Sequence, residues 1–222
     1  MKNQNFALIT LVAALGILSP LSSWAKIPAL LAEVEKQYST SGSFQANFEQ
    51  VEFSAAFAEK KQSQGHLAWK SPNRLRWETT SPERSLIVSN GKTVWIYTPP
   101  FDDTENGQVI IKKAAEVKSR LLDALLAGKF SAAVRQGLNI EKAGDREFRL
   151  RPPARKKKGP SGALKQVTVQ IAPEKPTITK VSLEYDDGNQ STISFSNIEM
   201  GVSLPADSFH FKAPARTDIL KD

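Results

Sequence analysis

The stretch Gly65–Tyr97, GHLAWKSPNRLRWETTSPERSLIVSNGKTVWIY, constrains this chain more than any other. Leu67 and Trp69 alternate with His66 and Lys70, and Leu75 and Trp77 alternate with Arg74, Arg76 and Glu78. Leu86 and Val88 alternate with Ser85 and Ser89, and Val94–Tyr97 supplies a fourth run. An apolar–polar alternation of period two marks a strand with one buried face. The intervening Lys70-Ser-Pro-Asn73, Ser81-Pro82 and Ser89-Asn-Gly91 are turn sequences, and Asn90-Gly91 tolerates the positive φ of a tight hairpin. The segment is therefore predicted as an antiparallel meander of four strands. Three of the chain's four tryptophans, Trp69, Trp77 and Trp95, fall within it and make one face heavily aromatic.

The pattern starts earlier, where Ser43–Phe53 reads as a first strand with Phe44, Ala46 and Phe48 on one face. Carried across consecutive strands, positions 44, 46, 48, 67, 69, 75, 77, 86 and 88 form one continuous apolar face. Ile27–Tyr38 precedes it as an amphipathic helix, with Ile27, Leu30, Leu31, Val34 and Tyr38 at helical spacing and Gly42 as its stop. Ser54–Gln64 reads as a hairpin connection or flap, and Pro99-Pro100 ends the meander because proline cannot donate to a ladder.

Beyond an acidic loop, Phe101–Gly107, comes the short apolar segment Val109–Ile111. Lys118–Leu126 repeats Leu121, Leu122, Leu125 and Leu126 as a second helix, Gly128 stops it, and Phe130–Arg135 continues as a further short helix. Leu138–Arg151 reads as two strands around Ala143-Gly-Asp145, followed by strands at Leu164–Ile171, Ile178–Tyr185 and Gln190–Ile198, and by a terminal β segment at Phe209 and Phe211. Arg151–Lys158 is the one strongly charged run; its Arg155, Lys156, Lys157 and Lys158 suit either a solvated loop or a contact with anionic lipid headgroups or an acidic partner.

Residues 1–25 carry one charge, Lys2, then an apolar run Phe6–Leu18 and a small-x-small site Ser23-Trp-Ala25. The run is short against the roughly 20 residues a bilayer demands, so a cleaved secretory leader is expected, followed by one domain over residues 26–222. The chain has no cysteine, which leaves no disulfide, thiolate metal site or thiol for lipid attachment. The formal charge of +7 has no aromatic-interleaved basic stripe behind it, and nucleic acid is not an expected partner.

Catalysis is not expected. His66 and His210 are far apart, no metalloprotease, nucleophile-elbow, phosphate-loop or dinucleotide motif is present, and Asp186-Asp187 precedes a hairpin glycine. No cofactor or metal is implied. Few short helices must serve a sheet of about eight to eleven strands, which suits sealing the mouth of a curved sheet better than filling it. On pattern alone, an apolar cavity and an ordinary filled core both remain open.

The ordered set Gly65-x-Leu-x-Trp69-Lys-x-Pro72, Arg76-Trp77-Glu78, Pro82, Val88-Ser-Asn-Gly91-Lys92, Trp95-x-Tyr97 resembles the LolA family of periplasmic lipoprotein carriers. The resemblance is clearest over Phe44–Tyr97. It implies a mainly β fold with α, an unclosed antiparallel β-barrel with an N-terminal helix and a short helical lid, enclosing a hydrophobic cavity. It also implies a monomeric periplasmic chaperone that takes acylated lipoproteins from an inner-membrane ABC transporter and passes them to an outer-membrane receptor. Each methylene kept from water is worth about 0.8 kcal/mol, so an acylated protein needs such an escort. The alternatives are a carrier or sensor of another lipid on the same fold, or a non-enzymatic interaction domain with a filled core.

On this resemblance the expected acyl-chain site is Phe44, Phe48, Leu67, Trp69, Leu75, Trp77, Leu86, Val88 and Trp95, and the lid carries Leu121, Leu122, Leu125 and Phe130. Members of the family often carry an arginine immediately before the turn proline, and the resemblance implies that such an arginine holds the lid helices closed by hydrogen bonds. This chain has Ser71 there, with Arg74 and Arg76 nearby as the other latch candidates. A serine makes fewer, uncharged hydrogen bonds, so the lid is expected to open at lower cost.

Overall fold

The computed structural model describes residues 27–117, 125–153 and 162–221; the expected leader lies outside them. The first helix, α1 (Ala29–Ser41), buries Leu31, Val34 and Tyr38, the stripe its spacing predicts. It starts after Pro28 and runs three residues past Tyr38, helped by Ser39 and Thr40 hydroxyls that donate to the Lys36 carbonyl. Gly42, at φ 66°, then turns left-handed and donates its N–H to the Tyr38 carbonyl at 3.1 Å.

The strands follow as β1 (Ser43–Ser54), β2 (Glu59–Lys70), β3 (Arg74–Ser81), β4 (Ser85–Asn90), β5 (Thr93–Thr98) and β6 (Gly107–Lys113). After short helices α2 (Ala114–Val117) and α3 (Phe130–Arg135) come β7 (Asn139–Lys142), β8 (Glu147–Arg151), β9 (Leu164–Ile171), β10 (Ile178–Tyr185) and β11 (Gln190–Met200). A 3₁₀ turn at Ala206–Phe209 leads to β12 (Thr217–Lys221).

The twelve strands of the described residues form one sheet in the order β12-β6-β5-β4-β3-β2-β1-β11-β10-β9-β8-β7. Its two edges, β12 and β7, are not paired with each other, so the barrel is unclosed. The two halves of the chain meet where β1 pairs with β11, and every pairing is antiparallel except β12 with β6.

Two expectations need correction. Residues 59–64 extend β2 along β1 instead of forming a flap: Glu59 pairs with Ser54 and Gln64 with Glu49. This end of the hairpin is largely exposed on both faces, so no hydrophobic alternation announced it. The C-terminal aromatics do not make a β segment. Phe209 closes the 3₁₀ turn and is buried, while the last strand forms farther on, as a parallel edge on β6.

Gly65 shows why the opening motif begins with glycine. It sits beside a bulge, with Gln64 opposite Ser81 and Gly65 opposite Thr79. A Cβ there would lie 1.8 Å from the Glu78 carbonyl oxygen and 2.9 Å from the Phe48 ring. The core then builds on both sides of β1. Phe48, Phe130, Phe148, Leu150, Val167 and Val169 are fully buried, and α1 and α3 close over them.

Candidate functional site

Antiparallel register sets the rows of side chains that share a face. One row runs Ala46, Leu67, Trp77, Ile87, Ile96 across β1 to β5, each residue directly opposite the next. A second runs Phe44, Trp69, Leu75, Ser89, Val94 across the same strands. Both rows line a cavity of about 560 Å³. Its far wall is Ile178, Val181 and Leu183 of β10 with Ile193, Phe195 and Ile198 of β11, and its cover includes Tyr38, Ala114, Ala115, Val117, Leu125, Leu126 and Ala127.

The lining carries no charged side chain among the described residues. Apart from the Tyr38 hydroxyl and the two indole N–H groups, its only polar side chains among them are Asn73 and Ser89. Aromatic contacts stiffen the wall: Tyr38 to Phe44 at 5.4 Å between ring centroids, Phe44 to Trp69 at 5.8 Å, and Phe48 to Trp77 at 4.4 Å. Each such pair is worth about 0.5–1.5 kcal/mol beyond its buried area, which favours a preformed wall. Cavity and filled core therefore coexist, with Phe48 and Phe148 in the filled part and the rows above beside the open part.

Of the residues expected to line the site, Phe44, Leu67, Trp69, Leu75 and Trp77 do so, and Phe48 lies on the same face beneath Trp77. Leu86, Val88 and Trp95 do not. Val88 is opposite Arg76 and Trp95, and Leu86 is opposite Glu78 and Tyr97, which puts all of them on the outer face. There Trp95 meets the His210 ring at 6.4 Å and Tyr97 meets Phe211 at 5.1 Å. The segment after β11 crosses this face, fastened where the Lys70 ammonium donates to the Leu204 carbonyl at 2.7 Å. Both faces of β4 and β5 are thus covered by apolar groups, and Leu86-Ile87-Val88 and Val94-Trp95-Ile96 read as continuous runs without a phase of their own.

The sequence also left the far wall unassigned. A register shift between Ile178 and Lys180 switches the inward positions from Ile178 to Val181 and Leu183. Asn197, at φ 50°, makes a similar break between Phe195 and Ile198. Bulges hide the alternation that would have marked these strands.

None of the three latch candidates lines the cavity. Arg76 faces outward and its guanidinium bonds to Glu78 at 2.8 Å; Arg74 alternates onto the same face. Ser71 is exposed in the β2–β3 turn, where its N–H donates to the Gly42 carbonyl at 2.8 Å. Between α1 and α3, Glu35 accepts from both the Ser131 hydroxyl, at 2.6 Å, and the Ser131 N–H, at 3.2 Å. Gly128, at φ 62°, lets the segment entering α3 lie against Tyr38, where a Cβ would come within 2.8 Å. Among the expected lid residues, Leu125 lines the cavity and Phe130 is fully buried in the core, while Leu121 and Leu122 lie outside the described residues. The basic residues Arg155, Lys156, Lys157 and Lys158 also lie outside them.

Burial pushes the Tyr38 phenol up to about 12, against the opposing pull of its hydrogen bond from the Ile178 N–H at 3.4 Å. It is neutral at physiological pH and brings no charge to the cavity. The histidines sit elsewhere: His66 bonds to Asn47 at 2.9 Å and His210 packs on Trp95. Among the described residues, no group of three or more His, Cys, Asp or Glu could hold a metal ion, and no helix is long and apolar enough to cross a membrane.

Comparison with known proteins agrees with this architecture. An "Outer-membrane lipoprotein carrier protein" of Dechloromonas aromatica (strain RCB) is 29% identical over 215 residues, covering 97% of this chain and 92% of that protein. One of Azotobacter vinelandii (strain DJ / ATCC BAA-1303) is 27% identical over 180 residues, covering 80% of this chain and 81% of its own. An uncharacterized conserved protein from Thermus thermophilus shares the fold with a TM-score of 0.51 at 13% identity, over 87% of this chain and 97% of that one. Residues 39–212 match the family described as "Outer membrane lipoprotein carrier protein LolA". The chain belongs to the LolA family.

Proposed function

We propose that this protein is a periplasmic chaperone that shields the acyl chains of lipoproteins in its cavity and carries them between membranes. The observation that carries the reading is an aromatic-walled cavity inside an unclosed barrel, with no charged side chain among the described residues of its lining. Its similarity to outer-membrane lipoprotein carrier proteins supports the lipoprotein as cargo. Apolar contact is non-directional and scales with area, about 25 cal/mol per Å², so one cavity accepts chains of different length. No covalent or nucleotide-driven step is required of the carrier itself. Cargo moves from donor to acceptor if each successive site binds it more tightly.

In this reading residues 1–25 direct export and are removed, and the mature chain works as a monomer. The donor is an inner-membrane ABC transporter and the acceptor an outer-membrane lipoprotein receptor. Phe44, Leu67, Trp69, Leu75 and Trp77 contact the chains. Arg155–Lys158 meets an acidic partner surface or lipid headgroups.

The test is release of newly acylated lipoprotein from spheroplasts by the purified protein, with mass spectrometry of what it retains. Stoichiometric lipoprotein in the soluble fraction supports the proposal. Enrichment of a free lipid alone would shift the assignment to a carrier of that lipid. Failure to bind any hydrophobic probe saturably would sink the cavity reading.

A further inference from the structure

The cavity is not uniformly apolar: apart from the Tyr38 hydroxyl and the two indole N–H groups, the polar side chains of its described lining are gathered in one corner. Asn73 in the β2–β3 turn and Ser89 near the end of β4 both line it, and the Ser89 hydroxyl donates to the Asn73 carbonyl at 3.3 Å. The same hydroxyl accepts the Gly91 N–H at 3.2 Å, so it is committed to holding the two turns together. The Ala114 N–H, donating to the Lys92 carbonyl at 2.8 Å, brings the start of α2 to the same end of the barrel. Asn73 is partly exposed, whereas Phe44 and Trp69 are buried. The corner is therefore a boundary between the apolar interior and water.

The Asn73 carboxamide is the one uncommitted polar side chain there among the described residues. Its backbone, at φ 57°, is left-handed, a conformation asparagine adopts far more readily than most side chains. Its side chain is bonded to none of the described residues, although its backbone carbonyl is used. An amide NH₂ presents two donors, and a donor at an apolar boundary favours an acceptor that arrives attached to apolar chain.

The geometry points to Asn73 as a headgroup subsite that donates to the carbonyl oxygens joining acyl chains to the polar part of a lipid. This rests on the carrier reading and deepens it: chain termini would lie among the tryptophans, and the ester or amide linkage would sit at the Asn73 corner. The cavity then fixes the direction of the cargo as well as its hydrophobicity. Ser89 acts through Asn73 as a positioning residue.

The experiment compares ester-linked diacyl lipopeptide with its dialkyl ether analogue, which has the same chains without those carbonyls. Both are titrated against purified wild-type protein, Asn73→Gly and Asn73→Asp, and the same ester–ether pair is repeated with a phospholipid. Glycine and aspartate both tolerate the positive φ, and thermal unfolding reports whether each variant folds. One hydrogen bond predicts that the wild type prefers ester over ether by roughly 3- to 10-fold, and that the ester-to-ether ratio measured within each variant falls to about 1 or below, whatever that variant's absolute affinity. A preference with the lipopeptide identifies the lipoprotein linkage as the ligand, and one with the phospholipid extends the subsite to any acyl ester. Equal binding of ester and ether by the wild type, or a preference surviving in both variants, overturns the subsite and leaves the carrier reading standing. Saturable binding of neither lipid overturns both.

Discussion

Ser131 gives Glu35 two hydrogen bonds, from its hydroxyl at 2.6 Å and its N–H at 3.2 Å, and so ties α3 to α1. Ser71, Arg74 and Arg76 take no part in this contact. A carboxylate between two donors is stronger than a neutral pair, about 1.5–3 kcal/mol against about 1.

Glu35→Ala is expected to cost about 1–2 kcal/mol in urea unfolding and to speed the exchange of a bound hydrophobic probe. Ser131→Ala should cost less, because its backbone N–H remains. A double-mutant cycle should show coupling between the two positions. Strictly additive effects would mean that this contact does not hold the cover.

Leu75→Glu or Trp77→Glu should reduce probe affinity at least about tenfold, since a carboxylate in a cavity whose described lining is uncharged must be desolvated or neutralised on loading. Trp95→Ala provides the control. Because Trp95 packs on His210 outside the barrel, the change should loosen the C-terminal segment and leave probe affinity within about twofold. Equal loss of binding in Trp95→Ala and Leu75→Glu would contradict the assignment of faces.

Gly65→Ala should be disproportionately harmful, at about 2–4 kcal/mol of stability. A single added methyl would meet a backbone carbonyl at 1.8 Å, and the β2–β3 ladder must move to admit it. The same change at Gly42, where nothing lies within 4 Å, carries only the strain of its positive φ, so urea midpoints for the pair separate steric from conformational cost.

Tyr38 predicts an alkaline limit. Its pKa is raised from 10.0 to about 12 by burial, so between those values the folded state holds a proton that the unfolded state has released. Stability therefore falls as pH rises from about 10 toward about 12, by of the order of 2–3 kcal/mol from this group. Tyr38→Phe should be slightly less stable at neutral pH, having lost the bond to Ile178, and should show a shallower loss over that window. Parallel stability profiles for wild type and Tyr38→Phe would refute the assignment.

Much of the architecture was legible in the residues. Turn chemistry at Ser71-Pro72-Asn73 and Asn90-Gly91 placed the meander. Helical spacing with Gly42 placed α1, and clean alternation at Phe44–Phe48, Leu67–Trp69 and Leu75–Trp77 marked the cavity face. These are local determinants, carried by φ preferences and by a face that is apolar on one side only. Where both sides are apolar the sequence is silent: Leu86-Ile87-Val88 can turn either way, and what decides is the late segment bearing Leu204 and Phe209, which covers the outer face of the meander. The exposed tip of β2 had no apolar pattern to show, and the bulges near Ile178 and Asn197 broke the pattern of the far wall. The sequence alone determined the strands, their turns and an aromatic face. Only tertiary structure decided which residues of β4 and β5 look inward and that Glu35 meets Ser131. It also decided that Phe48 and Phe148 fill one part of the barrel while the rows beside Trp69 and Trp77 leave the other part empty, because each of these depends on groups brought together from distant parts of the chain.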